Sequence, residues 1–255
     1  MGEEAGLLPV AVDVVLLTLG RAPPDTAPVE VGAEVEADAG TDHGARPLLA
    51  LVVRRAEEPH AGSWALPGTR LGREDDLEEA AAGLLGAIGL APARHLEQLA
   101  TFAGPDRDPR GRILSISHLA LVPAPTMPGP ASSPSTAEPR PRVQEVAWVP
   151  ALDPPPLAFD HGLILDAAVR RLRGKLSYST VAYGLLPDTF TLSELQAVYE
   201  SVLGHRLDKR NFRKKVLALG MVEATGEQRR GPHRPARLHR FRRRGLVELG
   251  DVIAP

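Results

Sequence analysis

Short apolar runs in the first half of the chain predict the strands of a buried sheet. Leu8 to Leu19 and Leu48 to Arg54 are rich in leucine and β-branched residues, as in strands that are buried on both faces. Ile113 to Val122 and Val143 to Val149 have the same character. From Phe159 onward the apolar residues take helical spacing, so we expect a fold that combines a sheet with helices.

Two segments between these runs have the composition of loops. Residues 21–47 are rich in Pro, Gly, Glu and Ala, and they cannot bury enough apolar surface to offset the entropy of ordering them. Residues 123–142 contain seven prolines. We expect both segments to be mobile insertions. The run Asp153-Pro-Pro-Pro predicts a stiff linker between two domains, residues 1–152 and residues 153–255.

Composition excludes several classes of protein. The chain has no cysteine, which excludes a disulfide-stapled scaffold, a zinc-thiolate site and a cysteine nucleophile. The first residues are acidic, and the apolar run from Leu7 to Gly20 is broken by Asp13 and is too short to span a bilayer. We therefore expect a soluble cytoplasmic protein that binds no membrane.

The charge is divided unequally along the chain. Residues 1–169 carry 12 Lys and Arg against 24 Asp and Glu, whereas residues 170–255 carry 18 against 8. The net charges of −12 and +10 nearly cancel in the whole chain, which has a net charge of −2. A basic domain of this kind is suited to binding phosphate groups.

The basic half has the pattern of a winged helix-turn-helix. Thr191-Leu-Ser-Glu194 is a capping box that opens one helix, and Asp208 caps a second helix that ends at Gly220. A short strand at Met221 can pair with Leu238 to Phe241 across a basic wing. The residues predicted to contact DNA are Thr191, Ser193, Lys209, Arg210, Asn211, Arg213, Lys214, Arg234 and Arg237.

The segment from Leu66 to Leu90 predicts a turn, a loop and a helix that begins near Asp75 or Asp76 and ends at Gly89. This segment resembles the Nudix box. Its register is complete: Gly68 is followed after five residues by Glu74, and after seven more residues by the Arg position of the box.

The positions that carry Nudix chemistry are substituted. Active Nudix enzymes use carboxylates of this helix to hold Mg²⁺ or Mn²⁺, but the Arg-Glu pair is Ala82-Gly83 here and the Glu-Glu pair is Gly86-Ala87. Glu78 and Glu79 fall in the first turn, where acidic residues complement the helix dipole. We therefore expect no catalytic residues, no metal and no enzyme activity, but a cleft that binds a nucleotide. The predicted effector-binding residues are Arg54, Arg55, Arg70, Arg73 and Glu74.

As a whole, the chain resembles the Nudix-related transcriptional regulators of NAD metabolism, the NrtR type. The resemblance rests on Phe159-Asp-His161, Phe190 to Gln196, Leu207 to Arg213 and Arg234-Pro-Ala-Arg237. It implies an α+β protein in which a Nudix-like α/β/α sandwich with a mixed sheet precedes a winged helix-turn-helix. It also implies a homodimeric repressor that binds a palindromic DNA operator and senses ADP-ribose or a related NAD-derived nucleotide, with no cofactor besides that effector.

Two other functions stay open at this point. The chain could be a residual hydrolase of nucleoside diphosphates that uses Glu74, Glu78 and Glu79. It could also be an RNA-binding or scaffolding module, although the basic half lacks the interleaved aromatic residues that single-stranded RNA binding usually employs.

Overall fold

The computed structural model describes residues 8–20, 46–123, 143–230 and 235–250. Most of the two insertions predicted from composition lies outside these ranges. The N-terminal part contains seven strands and one helix: β1 Val10–Leu19, β2 Leu48–Arg55, β3 Trp64–Ala65, β4 Gly68–Arg70, α1 Leu77–Ala87, β5 His95–Phe102, β6 Leu114–Leu121 and β7 Val143–Pro150. The four strands predicted from apolar runs are confirmed.

The seven strands form one mixed sheet. The strand order is β3-β2-β1-β6-β5, with β4 also paired to β1 and β7 to β2. The pairing of β1 with β6 is parallel, and every other pairing in this sheet is antiparallel. The predicted mixed sheet is therefore confirmed.

Helices cover both faces of the sheet because successive side chains of each strand point to opposite sides. On one face, Val14 and Leu16 pack in a cluster with Leu84 and Leu85 of α1. On the other face, Val15, Leu17 and Leu119 share a cluster with helix α2, which spans His161–Tyr178. This arrangement is the predicted α/β/α sandwich.

The C-terminal part has the predicted winged helix-turn-helix order. A 3₁₀ helix at Val181–Leu185 is followed by α3 Leu192–Leu203, α4 Lys209–Ala218, β8 Val222–Arg229 and β9 Ala236–Phe241. Strands β8 and β9 form an antiparallel hairpin. Phe190 and Tyr199 are fully buried at the centre of this part.

One apolar cluster continues from the sheet through α2 into the helix-turn-helix. It includes Leu17 of β1, Leu172 of α2, Tyr199 of α3 and Phe212 of α4. Helix α2 therefore packs on both the sheet and α3, and the domain boundary after Leu152 stays a prediction. Across the described ranges, no helix is long and apolar enough to cross a membrane.

Candidate functional site

Helix α1 begins at the predicted cap. The carboxylate of Asp76 accepts hydrogen bonds from the backbone N–H groups of Glu78 and Glu79, at 2.9 and 3.0 Å. The helix ends before Gly89, whose φ of 77° is in the left-handed region that glycine adopts readily. The Nudix box thus folds as the predicted loop and helix.

The side of α1 that would carry catalytic carboxylates is open. Ala82, Gly83 and Gly86 are exposed, and among the described residues no atom outside the adjoining helix backbone lies within 4 Å of where a Cβ of either glycine would be. Larger side chains would fit there, so crowding does not explain the substitutions. The four substituted positions offer no ligand for a divalent metal, and no group of three His, Asp or Glu side chains in the described residues could hold one.

The first glycine of the box has a structural reason. A Cβ at Gly68 would overlap Oδ1 of Asp13, which is buried on β1 opposite β4. Asp13 in turn accepts a hydrogen bond from the hydroxyl of Ser115 on β6. Gly68 therefore lets β4 lie close to this buried carboxylate, and any side chain at position 68 would require Asp13 to move.

The guanidinium groups of two arginines lie against the ring of Phe159 at one end of the sheet. The guanidinium carbon of Arg55 lies 4.7 Å from the ring centroid, and that of Arg110 lies 5.7 Å from it. Burial lowers the pKa of Arg55, and the nearby charge of Arg110 lowers it further. Guanidinium groups bind carboxylate and phosphate anions, so two of them beside one aromatic ring form a candidate anion site, in which Asp108 already pairs with Arg110.

Neighbouring groups fix this cluster in place. Asp108 accepts hydrogen bonds from Nε and Nη2 of Arg110, at 2.9 and 2.7 Å, and its own pKa is lowered chiefly by these bonds. Arg55 donates from Nε to the carbonyl of Pro59 at 2.8 Å. Phe159 has a φ of 56°, which is strained for an aromatic residue and is typical of a functional position. We define Arg55, Arg110 and Phe159 as the arginine–phenylalanine cluster.

A buried polar network links this cluster to the start of α2. Arg107, on the loop between β5 and β6, donates two hydrogen bonds to the carboxylate of Asp160, at 2.9 and 2.7 Å. His161 accepts a hydrogen bond at Nδ1 from the backbone N–H of Leu66, at 2.9 Å. Burial lowers the pKa of His161, so its ring stays neutral near pH 7. The first turn of α2 is thus fixed to the segment after β3 and to the loop between β5 and β6.

The structure brings together only part of the predicted effector site. Arg55 belongs to the arginine–phenylalanine cluster, and Arg54 lies beside it, paired with Glu145 at 3.1 Å and 5.5 Å from the centroid of Trp64. Arg70, Arg73 and Glu74 are exposed on β4 and the loop after it. In the described ranges, no hydrogen bond or ion pair joins those three to the cluster. Arg107 and Arg110 were not predicted from the sequence as parts of this site. The only sequence signal that pointed toward them was the run Phe159-Asp-His161, which they contact.

The outer face of α4 is basic and exposed, as predicted. Asp208 caps the helix by accepting the N–H of Asn211 at 2.8 Å, and Phe212 and Val216 are buried. Lys209, Arg210, Asn211 and Lys214 are exposed. These side chains form a continuous polar surface at the beginning of the helix, the part that enters a DNA groove in a helix-turn-helix protein.

Arg213 and Ser193 have a structural contact with each other. Nη2 of Arg213 donates to the hydroxyl of Ser193 at 2.9 Å, so this half-buried pair ties α4 to the start of α3. The predicted roles of both residues in DNA binding stay predictions.

The wing is also tied to α3. Glu194 closes the capping box with Thr191, and its other oxygen pairs with Arg229 of β8 at 2.5 Å. Arg237 is exposed on β9, whereas Arg234 lies outside the described residues. One carboxylate therefore both starts α3 and fixes the orientation of the wing.

Known proteins match these parts of the chain. Residues 182–241 match the model of the NrtR DNA-binding winged helix domain. The ADPR responsive transcriptional repressor NtrR of Acinetobacter baylyi is 34% identical over 202 residues, which cover 76% of each protein.

Solved structures extend the match to nearly the whole chain. NrtR of Shewanella oneidensis, crystallised with a 27mer DNA, has a TM-score of 0.69 and 28% identity, over 91% of this chain and 93% of that one. A MutT/nudix family protein from Enterococcus faecalis has a TM-score of 0.67 at 23% identity, over 95% and 89%, and so shares the fold. On this evidence, the chain belongs to the NrtR family of Nudix-related transcriptional regulators.

Proposed function

We propose that the chain is a transcriptional repressor that reads double-stranded DNA with α4. The observation that carries this proposal is the exposed basic start of α4, on a chain that matches the DNA-bound Shewanella oneidensis protein over 91% of its length. Arg210 and Asn211 have the side chains that read guanine and adenine edges in the major groove. Lys209 and Lys214 suit the flanking phosphates, and Thr191, Ser193, Arg213, Arg234 and Arg237 are proposed as further contacts.

Specific recognition is tested with the double variant R210A/N211A in the full-length protein. We expect the ratio of affinities for the chain's own upstream duplex and for a scrambled duplex to fall by about 10-fold or more. The matched control is R170A, because Arg170 is exposed on α2. An unchanged ratio in R210A/N211A would remove α4 from the role of reading helix.

We infer that the effector is a nucleoside diphosphate of the ADP-ribose type and that its phosphates bind the arginine–phenylalanine cluster. The inference is supported by two guanidiniums held within 6 Å of one ring and by the relative whose name describes it as ADPR responsive. Arg54, Arg70, Arg73 and Glu74 are proposed as outer contacts of the same ligand. No separate cofactor is required.

Effector binding is tested by calorimetric titration of ADP-ribose into R110A. We expect about 10-fold weaker binding or worse, because a charge-assisted bond to phosphate is removed. R112A is the matched control, since Arg112 is an exposed arginine two residues away on the same loop. Equal losses in R110A and R112A would contradict the proposed site.

We propose that the Nudix domain binds its nucleotide without hydrolysing it. The support is the substitution of the carboxylate positions by Ala82, Gly83, Gly86 and Ala87. The test incubates the protein with ADP-ribose and Mg²⁺ and follows AMP release, and we expect none above a protein-free blank. Release that disappears in E78A/E79A would identify the chain as a residual hydrolase instead.

We also propose that two copies bind a palindromic operator in the cytoplasm, where the DNA is. Two reading helices placed on successive major grooves require half-sites about 10 base pairs apart, or multiples of that spacing. Sedimentation of the protein with a single-operator duplex should show two chains per duplex. One chain per duplex at saturation would contradict the dimer.

A further inference from the structure

Three consecutive arginines follow the wing hairpin. Arg242, Arg243 and Arg244 come directly after β9, and all three are exposed. From residue 229 to residue 244 the sequence carries eight arginines and no Asp or Glu. The triplet falls just beyond residue 241, where the match to the family's DNA-binding domain ends.

The hairpin places this triplet next to the end of α4. The backbone N–H of Arg242 donates to the carbonyl of Met221 at 3.1 Å, and Val222 pairs with Phe241. Met221 follows the last residue of α4, Ala218, by three positions. The triplet therefore begins at the base of the hairpin, whereas Arg229 and Ala236 pair at its other end.

The charges of the triplet are not neutralised within the described ranges. Arg240, which precedes it on β9, is paired with Glu223 at 2.8 Å. No carboxylate among the described residues lies within 4.0 Å of a side-chain nitrogen of Arg242, Arg243 or Arg244. Three adjacent exposed guanidiniums repel one another, and a polyanion is the partner that relieves this repulsion.

We propose that Arg242–Arg244 form a second phosphate-binding patch, which contacts the DNA backbone beside the base pairs that α4 reads. The proposal rests on the proposed function of α4 in DNA binding. A helix of ten residues is about 15 Å long, and the major groove is about 12 Å wide. Because α4 is longer than the groove is wide, the proposal places the end of α4 and the triplet at the hairpin base beside the edge of the groove, where the flanking backbone runs.

The chemistry of the patch makes it independent of sequence. A guanidinium fork binds phosphate oxygens and reads no base when it lies outside the groove. Each phosphate neutralised by the patch should release counterions and steepen the dependence of log affinity on log salt by about 0.9.

The test compares R242A/R243A/R244A with the unmodified protein on operator and scrambled duplexes over a range of KCl concentrations. We expect affinity to fall by the same factor for both duplexes. The salt dependence should become shallower by about 2 to 3 units of slope for each bound chain. The ratio of operator to scrambled affinity should not change, and R242K/R243K/R244K should keep most of the slope.

R46A/R112A/R170A serves as the charge-matched control, because these three arginines are exposed and lie before α3. Its salt slope should equal that of the unmodified protein. An unchanged slope in the triplet variant, or an equal loss in both triple variants, would overturn the patch. A selective loss of binding to RNA or anionic vesicles, with DNA binding intact, would overturn it as well.

Duplex length provides a second test that needs no variant. The unmodified protein should bind an operator with natural flanks more tightly, and with a steeper salt slope, than an operator trimmed to the read base pairs. Equal slopes for both lengths would contradict the patch while leaving α4 as the reading helix. A loss of specificity on both duplexes would instead contradict the proposed function.

Discussion

At the residue scale, buried charges of this chain are balanced by nearby partners that stabilise the ionised form. Glu97 on β5 pairs with Lys175 and Arg171 of α2 and lies 3.4 Å from Nε2 of His95. Burial by itself would raise the pKa of Glu97, but the adjacent His95 ring and the hydrogen bond from Lys175 lower it to about 2. The ionised carboxylate thus stabilises the packing of α2 on the edge of the sheet.

This pairing predicts how stability depends on acid. Because the pKa of Glu97 is about 2 in the folded protein and 4.5 in the unfolded chain, its stabilisation is present above pH 4.5 and is lost as the pH falls toward 2. E97Q should lower the free energy of unfolding at pH 7 by on the order of 2 kcal/mol. It should also flatten the decline of stability in acid.

Urea denaturation of E97Q and of D166N at several pH values checks this prediction. Asp166 is an exposed acidic residue of α2 and is the matched control. Parallel curves of stability against pH for E97Q and the unmodified protein would contradict the lowered pKa of Glu97.

Residues of the candidate site could be predicted only where the interacting residues are close together in the sequence. The helix caps, the basic face of α4 and the substituted Nudix positions follow from short spacings in the sequence. The contact of Arg107 with Asp160 spans 53 positions and that of Ser115 with Asp13 spans 102. Such pairs leave no local pattern, although Asp13 within an apolar strand is itself a sign of a buried partner.

At the element scale, α1 keeps the Nudix geometry but has lost residues that favour a helix. Gly83 and Gly86 lie in the helix interior, where glycine is unfavourable, and space is open beyond both. Gly89 differs, because its φ of 77° is disfavoured for residues with a side chain. Glycine therefore destabilises α1 at positions 83 and 86, but the backbone conformation favours it at position 89.

Alanine substitutions separate these two cases. G83A/G86A should raise the free energy of unfolding by about 1 to 2 kcal/mol, whereas G89A should lower it by about 1 kcal/mol. Urea denaturation measures both changes. A loss of stability in G83A/G86A would mean that α1 needs its glycines for a contact outside the chain.

Two variants at the start of α3 distinguish the capping of the helix from the orientation of the wing. E194Q keeps a side chain that can complete the capping box but removes the ion pair with Arg229. We expect it to change the free energy of unfolding by less than about 1 kcal/mol. T191A removes the cap and should cost about 1 kcal/mol.

Thermal and urea denaturation of the two variants, with DNA affinity measured alongside, distinguishes the two roles of Glu194. E194Q should alter DNA affinity more than it alters stability, because the wing loses its attachment to α3. A larger stability loss in E194Q than in T191A would contradict this division.

Elements with long periodic patterns were predictable, and short or edge strands were not. Strands β3 and β4 contain two and three residues, too few to show alternation. Strand β5 is at the edge of the sheet and exposes polar side chains such as Gln98, so its sequence lacks the apolar run of β1 or β2. Tertiary pairing with β6, rather than local preference, makes it a strand.

At the scale of the whole molecule, α2 connects the surroundings of the arginine–phenylalanine cluster with the helix-turn-helix. The first turn of α2 is fixed by Asp160 and His161 beside the arginine–phenylalanine cluster, and its buried side packs in the same apolar cluster as Tyr199 and Phe212. A ligand that binds one arrangement of α2 more tightly than another shifts the equilibrium between the corresponding positions of α4. The size of that shift is set by the difference in affinity.

Through α2, nucleotide binding at the cluster and DNA binding at α4 are expected to be coupled. This coupling is measured by fluorescence anisotropy of the full-length protein on a labelled duplex from its own upstream region, with excess nonspecific competitor and increasing ADP-ribose. We predict specific binding whose affinity changes about 5-fold or more with ADP-ribose in the unmodified protein and does not change in R110A. Binding that competitor abolishes, or an operator affinity that saturating ADP-ribose leaves unchanged, would contradict this coupling.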